Sequence, residues 1–83
     1  MFAYEFSFSE LVQVFEFALV DCRTRCPREW CVSFDTIVSM SNVECSDIGD
    51  RRRCSRVMQV LSKRRMCSYS KRNKAWAIWV RPG

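Results

Sequence analysis

Residues 50–65 read DRRRCSRVMQVLSKRR, and this stretch decides how the rest of the chain is interpreted. Apolar residues recur along it at i, i+3, i+4 and i+7, the spacing of one helix face: Cys54, Val57, Met58 and Leu61. The opposite face is polar and mostly cationic: Arg52, Arg56, Gln59 and Lys63. We therefore expect an amphipathic helix over about 50–65, with a cationic outer side.

The residues after this helix predict a β-hairpin. Strand-forming residues occupy about 66–70 and 75–80, and between them lies a polar tip of Lys71, Arg72, Asn73 and Lys74. A cationic helix followed directly by a cationic hairpin indicates a surface suited to a polyanion. We expect one tryptophan of the last strand to pack on the core; an exposed Trp79 or Tyr69 would instead be able to stack on unpaired bases.

The charges are divided unequally along the chain. It has 14 Lys and Arg, nine Asp and Glu and no His, for a net charge of +5. Residues 1–50 hold three basic and all nine acidic residues, a net charge of −6, whereas residues 51–83 hold eleven basic and no acidic residues, +11. This asymmetry favours an anionic partner for the second half over the alternative, a solvated basic face balanced by the acidic half.

The first half predicts a helix over about 8–22. Ser7 and Glu10 form a capping-box pattern, and apolar residues follow at the helical period. Val14, Phe17 and Ala18 lie outside the main apolar stripe. Two interpretations remain open for them: other parts of the chain cover these residues, or they form the seam of a homodimer.

The middle of the chain predicts a strand at about 30–32, a helix at about 34–41 capped by Ser33, and a turn over 42–49. The whole chain, 1–83, is then one α+β domain. Arg51, Arg52 and Arg53 would lie in the first turn of the third helix, where cations oppose the helix dipole. Either a bound phosphate compensates for this, or the helix starts earlier, at Ser46 and Asp47.

This order of elements, together with the run VSFDTIVSMSNVECSDIGDRRRCSRVMQVLSKRRMCSYSKRNKAWAIWV from Val32 to Val80, resembles a winged helix-turn-helix domain. The chain is most similar to small regulators of archaea and archaeal viruses, and the resemblance covers Ser7 to Val80. It implies a three-helix fold with a C-terminal β-hairpin wing.

The resemblance also implies a function, which is sequence-specific binding of double-stranded DNA by a transcriptional regulator, commonly a dimer. The third helix would lie in the major groove, and the wing would contact the backbone or the minor groove. The DNA-binding residues would be Arg51, Arg52, Arg53, Ser55, Arg56, Gln59, Lys63, Lys71, Arg72 and Lys74. Two alternatives are an interaction module that docks an acidic protein, and binding to a single strand or RNA.

The six cysteines, at positions 22, 26, 31, 45, 54 and 67, have no C-x-x-C spacing and no histidine beside them, so we expect no metal site. A disulfide in the protein of a hyperthermophilic host or its virus is the remaining hypothesis, and eleven Arg against three Lys agree with a thermophile. Cys22, Cys26 and Cys31 flank a loop that a disulfide would staple, although Cys54 is interpreted as core filling.

Catalysis is not expected, because the chain lacks an imidazole base, a glycine-rich phosphate loop and a paired carboxylate site. We expect no cofactor. The sequence contains no apolar run of the ~20 residues that span a bilayer and no basic, apolar leader at its start. We therefore expect an intracellular, cytoplasmic protein.

Overall fold

Three helices and a three-stranded antiparallel sheet make up the part of the chain, residues 1–80, that we describe from a computed structural model. This is an α+β architecture, and its element order is compatible with a winged helix. The elements follow a short 3-10 helix at Ala3–Glu5: α1 Phe8–Arg25, β1 Cys31–Val32, α2 Phe34–Ser41, α3 Ile48–Lys63, β2 Cys67–Ser70 and β3 Ala75–Ile78.

Helix α1 begins at the predicted capping box and ends later than predicted. The Ser7 Oγ accepts from the Glu10 N–H at 3.1 Å, and the Ser7 N–H donates to the Glu10 carboxylate at 2.9 Å. The helix continues to Arg25 rather than to residue 22, since the Cys26 N–H still donates to the Cys22 carbonyl at 2.9 Å. Arg23 and Arg25 lie in the last turn, where cations suit the helix dipole.

Helix α3 runs over Ile48–Lys63 rather than 50–65, because its N-cap is Asp47. The Asp47 carboxylate accepts from the Asp50 N–H at 2.7 Å, so two acidic residues occupy the cap and the first turn. The expectation that three arginines fill that turn was therefore wrong, and the earlier start was the right alternative. Because no arginine lies in the first turn, no bound phosphate is needed to compensate for cations that oppose the helix dipole.

The sheet has the strand order β1-β3-β2, so the hairpin strand β3 lies in the middle. β2 and β3 pair from Cys67↔Ile78 to Ser70↔Ala75, and β1 adds two antiparallel pairs, Cys31↔Ala77 and Val32↔Trp76. All three strands are shorter than predicted. Two cations adopt left-handed backbone conformations beside the hairpin strands, Arg65 with φ 62° before β2 and Lys74 with φ 51° before β3.

The core lies between the three helices and one face of the sheet. The predicted stripe of α3 is confirmed, since Cys54, Val57, Met58 and Leu61 are all completely buried. They meet apolar residues of α1, α2 and the hairpin, chiefly Leu11, Phe15, Leu19, Ile37 and Ile78. The helix therefore has a fixed inner side, which determines the side that faces outward.

The N-terminal segment, residues 1–6, packs against the turn between α2 and α3. Ala3 is completely buried, and its N–H donates to the Glu44 carbonyl at 3.0 Å. The Glu44 N–H donates in turn to the Met1 carbonyl at 2.8 Å. This segment thus adds a short parallel bridge, Phe2 to Glu44, that fixes the turn from outside.

The residues proposed for a dimer seam do not share one exposed surface. Ala18 is buried in the core, Val14 packs against the core and is partly buried, and Phe17 is 65% exposed. Over residues 1–80, none of the helices is long and apolar enough to cross a membrane.

Candidate nucleic-acid interface

The outer side of α3 presents four polar side chains in succession. Arg52, Ser55, Arg56 and Gln59 are all exposed. Their positions follow the helical period on the side opposite the buried stripe, so the packing of Val57 and Met58 decides their orientation. Ser55 and Gln59 line both of two shallow grooves that lie on either side of this row.

The first groove, about 450 Å³, lies between the start of α2 and α3, and we call it the helix groove. It is lined by Phe34, Ile48, Arg51, Arg52, Ser55, Arg56 and Gln59. The second, about 550 Å³, lies between α3 and the hairpin, and we call it the hairpin groove. It is lined by Ser55, Gln59, Ser62, Lys63, Tyr69 and Trp76.

Arg51 is held by α2 within the helix groove. Its Nη2 donates to the Asp35 Oδ1 at 2.6 Å, and its guanidinium carbon lies 5.2 Å from the centre of the Phe34 ring. The hydrogen bond that Arg51 donates to the Asp35 carboxylate raises the pKa of Arg51 above its usual value. Both side chains of the pair are exposed, so an incoming anion would compete with Asp35 for this guanidinium.

Arg53 is directed away from the other predicted DNA-binding residues, towards the N-terminal segment. Its Nη1 donates to the Ala3 carbonyl at 2.9 Å, and its Nη2 donates to the Phe6 carbonyl at 2.6 Å. The side chain is partly buried. Its fork of donors satisfies the Phe6 carbonyl and gives a second hydrogen bond to the Ala3 carbonyl, which also accepts from the Phe6 N–H at 3.2 Å. We assign Arg53 to the fold and leave it out of the interface.

Arg52 and Arg56 differ from both of these residues. Among the residues that the structure describes, the salt bridges join Arg51 to Asp35 and Arg64 to Glu16, and neither involves Arg52 or Arg56. Both guanidinium groups are exposed on the outer side of α3. Their donors are therefore available to an external anion or base edge.

The hairpin tip contributes three more exposed cations, Lys71, Arg72 and Lys74. Asn73 organises the turn, since its N–H and its Nδ2 donate to the Ser70 hydroxyl at 3.3 Å and 3.1 Å. Lys63, at the last position of α3, is also exposed and lines the hairpin groove. A band of positive charge thus extends from α3 to the tip of the hairpin.

The aromatic residues of the hairpin divide between its two faces. Tyr69 and Trp76 are cross-strand partners that meet edge to face, with ring centres 5.2 Å apart, and they line the hairpin groove. Trp79 is half exposed, and its Nε1 donates to the Ser68 hydroxyl at 2.9 Å. Because neighbouring strand residues alternate between faces, Ser68 and Trp79 lie on the face away from α3.

The prediction that one tryptophan of the last strand packs on the core is confirmed by this arrangement. One tryptophan, Trp76, packs against the core and the other, Trp79, is exposed. Sequence reasoning missed Trp76 and Ser62 as lining residues of the hairpin groove. Ser62 follows Ser55 by seven positions and Gln59 by three, so helical spacing alone would have placed it on the same face.

Comparisons with protein-family models, curated proteins and solved structures found no match to the chain. The interpretation of the site therefore depends on its geometry. Within residues 1–80, no three metal-ligating side chains come together.

Proposed function

We propose that this protein is a winged helix-turn-helix DNA-binding protein that regulates transcription by binding double-stranded DNA. In this proposal α3 is the recognition helix and the β2–β3 hairpin is the wing. One observation carries the proposal: Arg52 and Arg56 are exposed and free of salt bridges within residues 1–80, beside Ser55 and Gln59 on the outer side of α3.

The chemistry of this row suits base edges in a major groove. The groove of B-DNA admits one helix, and a guanidinium donates two parallel hydrogen bonds to guanine O6 and N7. A glutamine side chain pairs similarly with adenine. Arg52, Arg56 and Gln59 lie four and three residues apart, so they project from about two turns of the same helix face.

The band of cations supports contacts to phosphates on either side of the helix. Lys63, Lys71, Arg72 and Lys74 are exposed beside the hairpin groove or at the hairpin tip. The Ser55 and Ser62 side chains add hydroxyl donors to the wall of that groove. A sugar–phosphate strand seated there would place α3 in the major groove and the hairpin tip over the adjacent minor groove.

A titration that compares nucleic acids across salt concentrations tests this proposal. We expect labelled random duplex to bind more tightly than a labelled single strand or heparin, as measured by fluorescence anisotropy. Six cations, Arg52, Arg56, Lys63, Lys71, Arg72 and Lys74, are candidates for phosphate contact. If all six contact phosphates, the slope of log affinity against log salt is about −5. Equal, weak binding to all three polyanions would contradict the proposal and favour an acidic protein partner.

A second candidate function, binding to single-stranded nucleic acid, is favoured by one observation. Tyr69 and Trp76 lie together in the hairpin groove beside Lys63, and aromatic rings next to a cation are a common platform for unpaired bases. Tighter binding of the single strand, with loss of that preference in Tyr69→Ala, would favour this function. Tyr69 is the better position for the test, because it is exposed whereas Trp76 packs against the core.

A further inference from the structure

Two of the six cysteines lie close together, and neither belongs to the exposed row of polar side chains on α3. The Sγ atoms of Cys45 and Cys54 are 2.9 Å apart. Cys45 belongs to the turn between α2 and α3 and is partly exposed, while Cys54 lies on the buried stripe of α3. Both cysteines are free thiols in the structure.

This pair differs from the cysteines that flank the loop after α1. Among those, Cys26 and Cys31 are partly exposed, and Cys31 accepts a weak hydrogen bond from the Asn73 amide at 3.6 Å. Within residues 1–80, Cys45 and Cys54 are the one pair of cysteines whose sulfur atoms are hydrogen-bonded to each other. A disulfide bond is about 2.05 Å long. At 2.9 Å, the sulfur atoms of Cys45 and Cys54 therefore need only a small movement to bond.

We propose that Cys45 and Cys54 are a thiol–disulfide pair, which closes to an intramolecular disulfide by exchange with a low-molecular-weight disulfide such as oxidised glutathione. The Cys45 thiolate attacks one sulfur of the oxidant and releases one glutathione as its thiolate, leaving a mixed disulfide on Cys45. The released thiolate takes up a proton in place of the one that Cys45 lost. The Cys54 sulfur then displaces the second glutathione, to which its proton passes. Two protein thiols are oxidised, and one oxidised glutathione is reduced to two thiols.

The burial of the two residues determines this order of steps. Cys45 is accessible to the oxidant, whereas Cys54 is completely buried. Burial and the neighbouring Cys45 thiol raise the pKa of Cys54 to about 12, so this thiol is a poor attacker of external disulfides. Once the mixed disulfide forms on Cys45, however, the fold holds the Cys45 sulfur beside the Cys54 sulfur, which favours attack by Cys54.

The bond would connect the turn to the DNA-binding helix. It closes a loop over residues 45–54, which includes the N-cap Asp47, the first turn of α3 and all three consecutive arginines. The same turn is already joined to the N-terminal segment through Glu44, and α3 is joined to that segment through Arg53. A disulfide would add a covalent connection to a region that now depends on hydrogen bonds.

Peptide mapping of the folded protein tests the proposal. We would incubate the native protein with oxidised glutathione, block the remaining thiols with iodoacetamide, digest with trypsin and analyse the peptides by mass spectrometry. Trypsin cleaves after the arginines between the two cysteines, so the disulfide links residues 29–51 to residues 54–56. Because residues 29–51 also contain Cys31, the experiment is repeated with Cys31→Ser, in which we expect the link to persist.

Thermal unfolding provides an independent readout. For a closed loop of this length, the oxidised protein should unfold roughly 15 °C higher than the reduced protein. Cys45→Ser should abolish both the cross-link and the shift, and this variant is chosen because Cys45 is not fully buried. The matched control, Cys26→Ser, should retain both. Failure of the native protein to form the link, preferential bonding of another pair, or a shift that persists in Cys45→Ser would overturn the proposal. None of these outcomes depends on DNA binding.

Discussion

The two sides of α3 use the same amino acid in different ways. On the side facing the N-terminal segment, Arg53 donates to two backbone carbonyls and is partly buried. On the outer side, Arg52 and Arg56 are exposed and form no salt bridge within residues 1–80. Arg51 lies between these extremes, since it is exposed but paired with Asp35.

The difference shows that a run of arginines need not be a single functional unit. Three consecutive residues on a helix point in directions about 100° apart, so each one meets a different neighbour. A carbonyl pair, a carboxylate and solvent are the three environments here. The variants below test whether the roles divide as these environments indicate.

The largest effect should come from the outer side of α3. We expect Arg52→Ala combined with Arg56→Ala to weaken duplex binding by roughly 2–4 kcal/mol while changing the free energy of unfolding by less than about 0.5 kcal/mol. Anisotropy titrations and urea unfolding measure the two quantities. A loss that depends on duplex sequence indicates base contacts, and a uniform loss with a shallower salt slope indicates phosphate contacts.

The control for that pair is Arg28→Ala, which removes an exposed arginine from the loop after α1. Its effect on binding should be slight. If the double variant binds duplex as tightly as the unaltered protein does, the outer side of α3 is not the interface. Arg52 and Arg56 would then have no role in binding DNA.

Arg53→Met should produce the opposite result. Methionine keeps the apolar stem but removes two charge-assisted hydrogen bonds, leaving the Phe6 carbonyl without its donor and the Ala3 carbonyl with the Phe6 N–H alone. We therefore expect a loss of roughly 2–3 kcal/mol in the free energy of unfolding. Arg52→Met is the matched control, one residue away, and should cost less than about 0.5 kcal/mol. Equal destabilisation by the two substitutions in urea titrations would contradict the assigned role of Arg53.

Asp35→Asn tests the role of Arg51, the arginine that is exposed but paired. It removes the carboxylate that neutralises Arg51 without removing the arginine, so an additional cation becomes available beside the helix groove. We expect tighter duplex binding, with a salt slope steeper by about 1, and a stability loss of no more than about 1 kcal/mol because the pair is exposed. The slope should stay unchanged in Asp35→Asn combined with Arg51→Met.

The smallest effect should come from Glu10, whose carboxylate caps the start of α1. The Ser7 N–H, and then its hydroxyl, lower the pKa of Glu10. A carboxyl whose pKa is lower in the folded protein stabilises it above the unfolded pKa, and this contribution disappears as the pH falls through the folded value. We expect a slight loss of stability below about pH 4.5 that Glu10→Gln lacks, measured by thermal unfolding at constant ionic strength. An identical pH dependence in the two proteins would exclude this role.

Periodicity predicted the elements well where packing and local hydrogen bonds follow directly from sequence. The buried stripe of α3 and the bounds of α2 are as expected, because apolar spacing and the Ser33 cap determine them. The start of α3 was misplaced because the apolar stripe begins only at Cys54 and does not mark the first turn of the helix. Asp47 is selected by a hydrogen bond to the Asp50 N–H, which spacing alone does not reveal.

The individual roles of the arginines could not be predicted for a different reason. The partners of Arg53 are backbone carbonyls 47 and 50 residues away, and any residue type at Ala3 and Phe6 would supply them. The sequence therefore contains no signal for this contact. By contrast, the exposed row on α3 was predictable, because it is simply the face opposite the apolar stripe.

The left-handed residues beside the hairpin have a consequence for directed evolution. Arg65 and Lys74 adopt positive φ angles, a conformation that costs roughly 1 kcal/mol for most residues and that glycine or asparagine adopts more easily. In a randomised library screened only for folding, both positions should drift to glycine or asparagine. In a library screened for capture on immobilised duplex, retention of a cation at Lys74 but not at Arg65 would show which position is kept for charge rather than for shape.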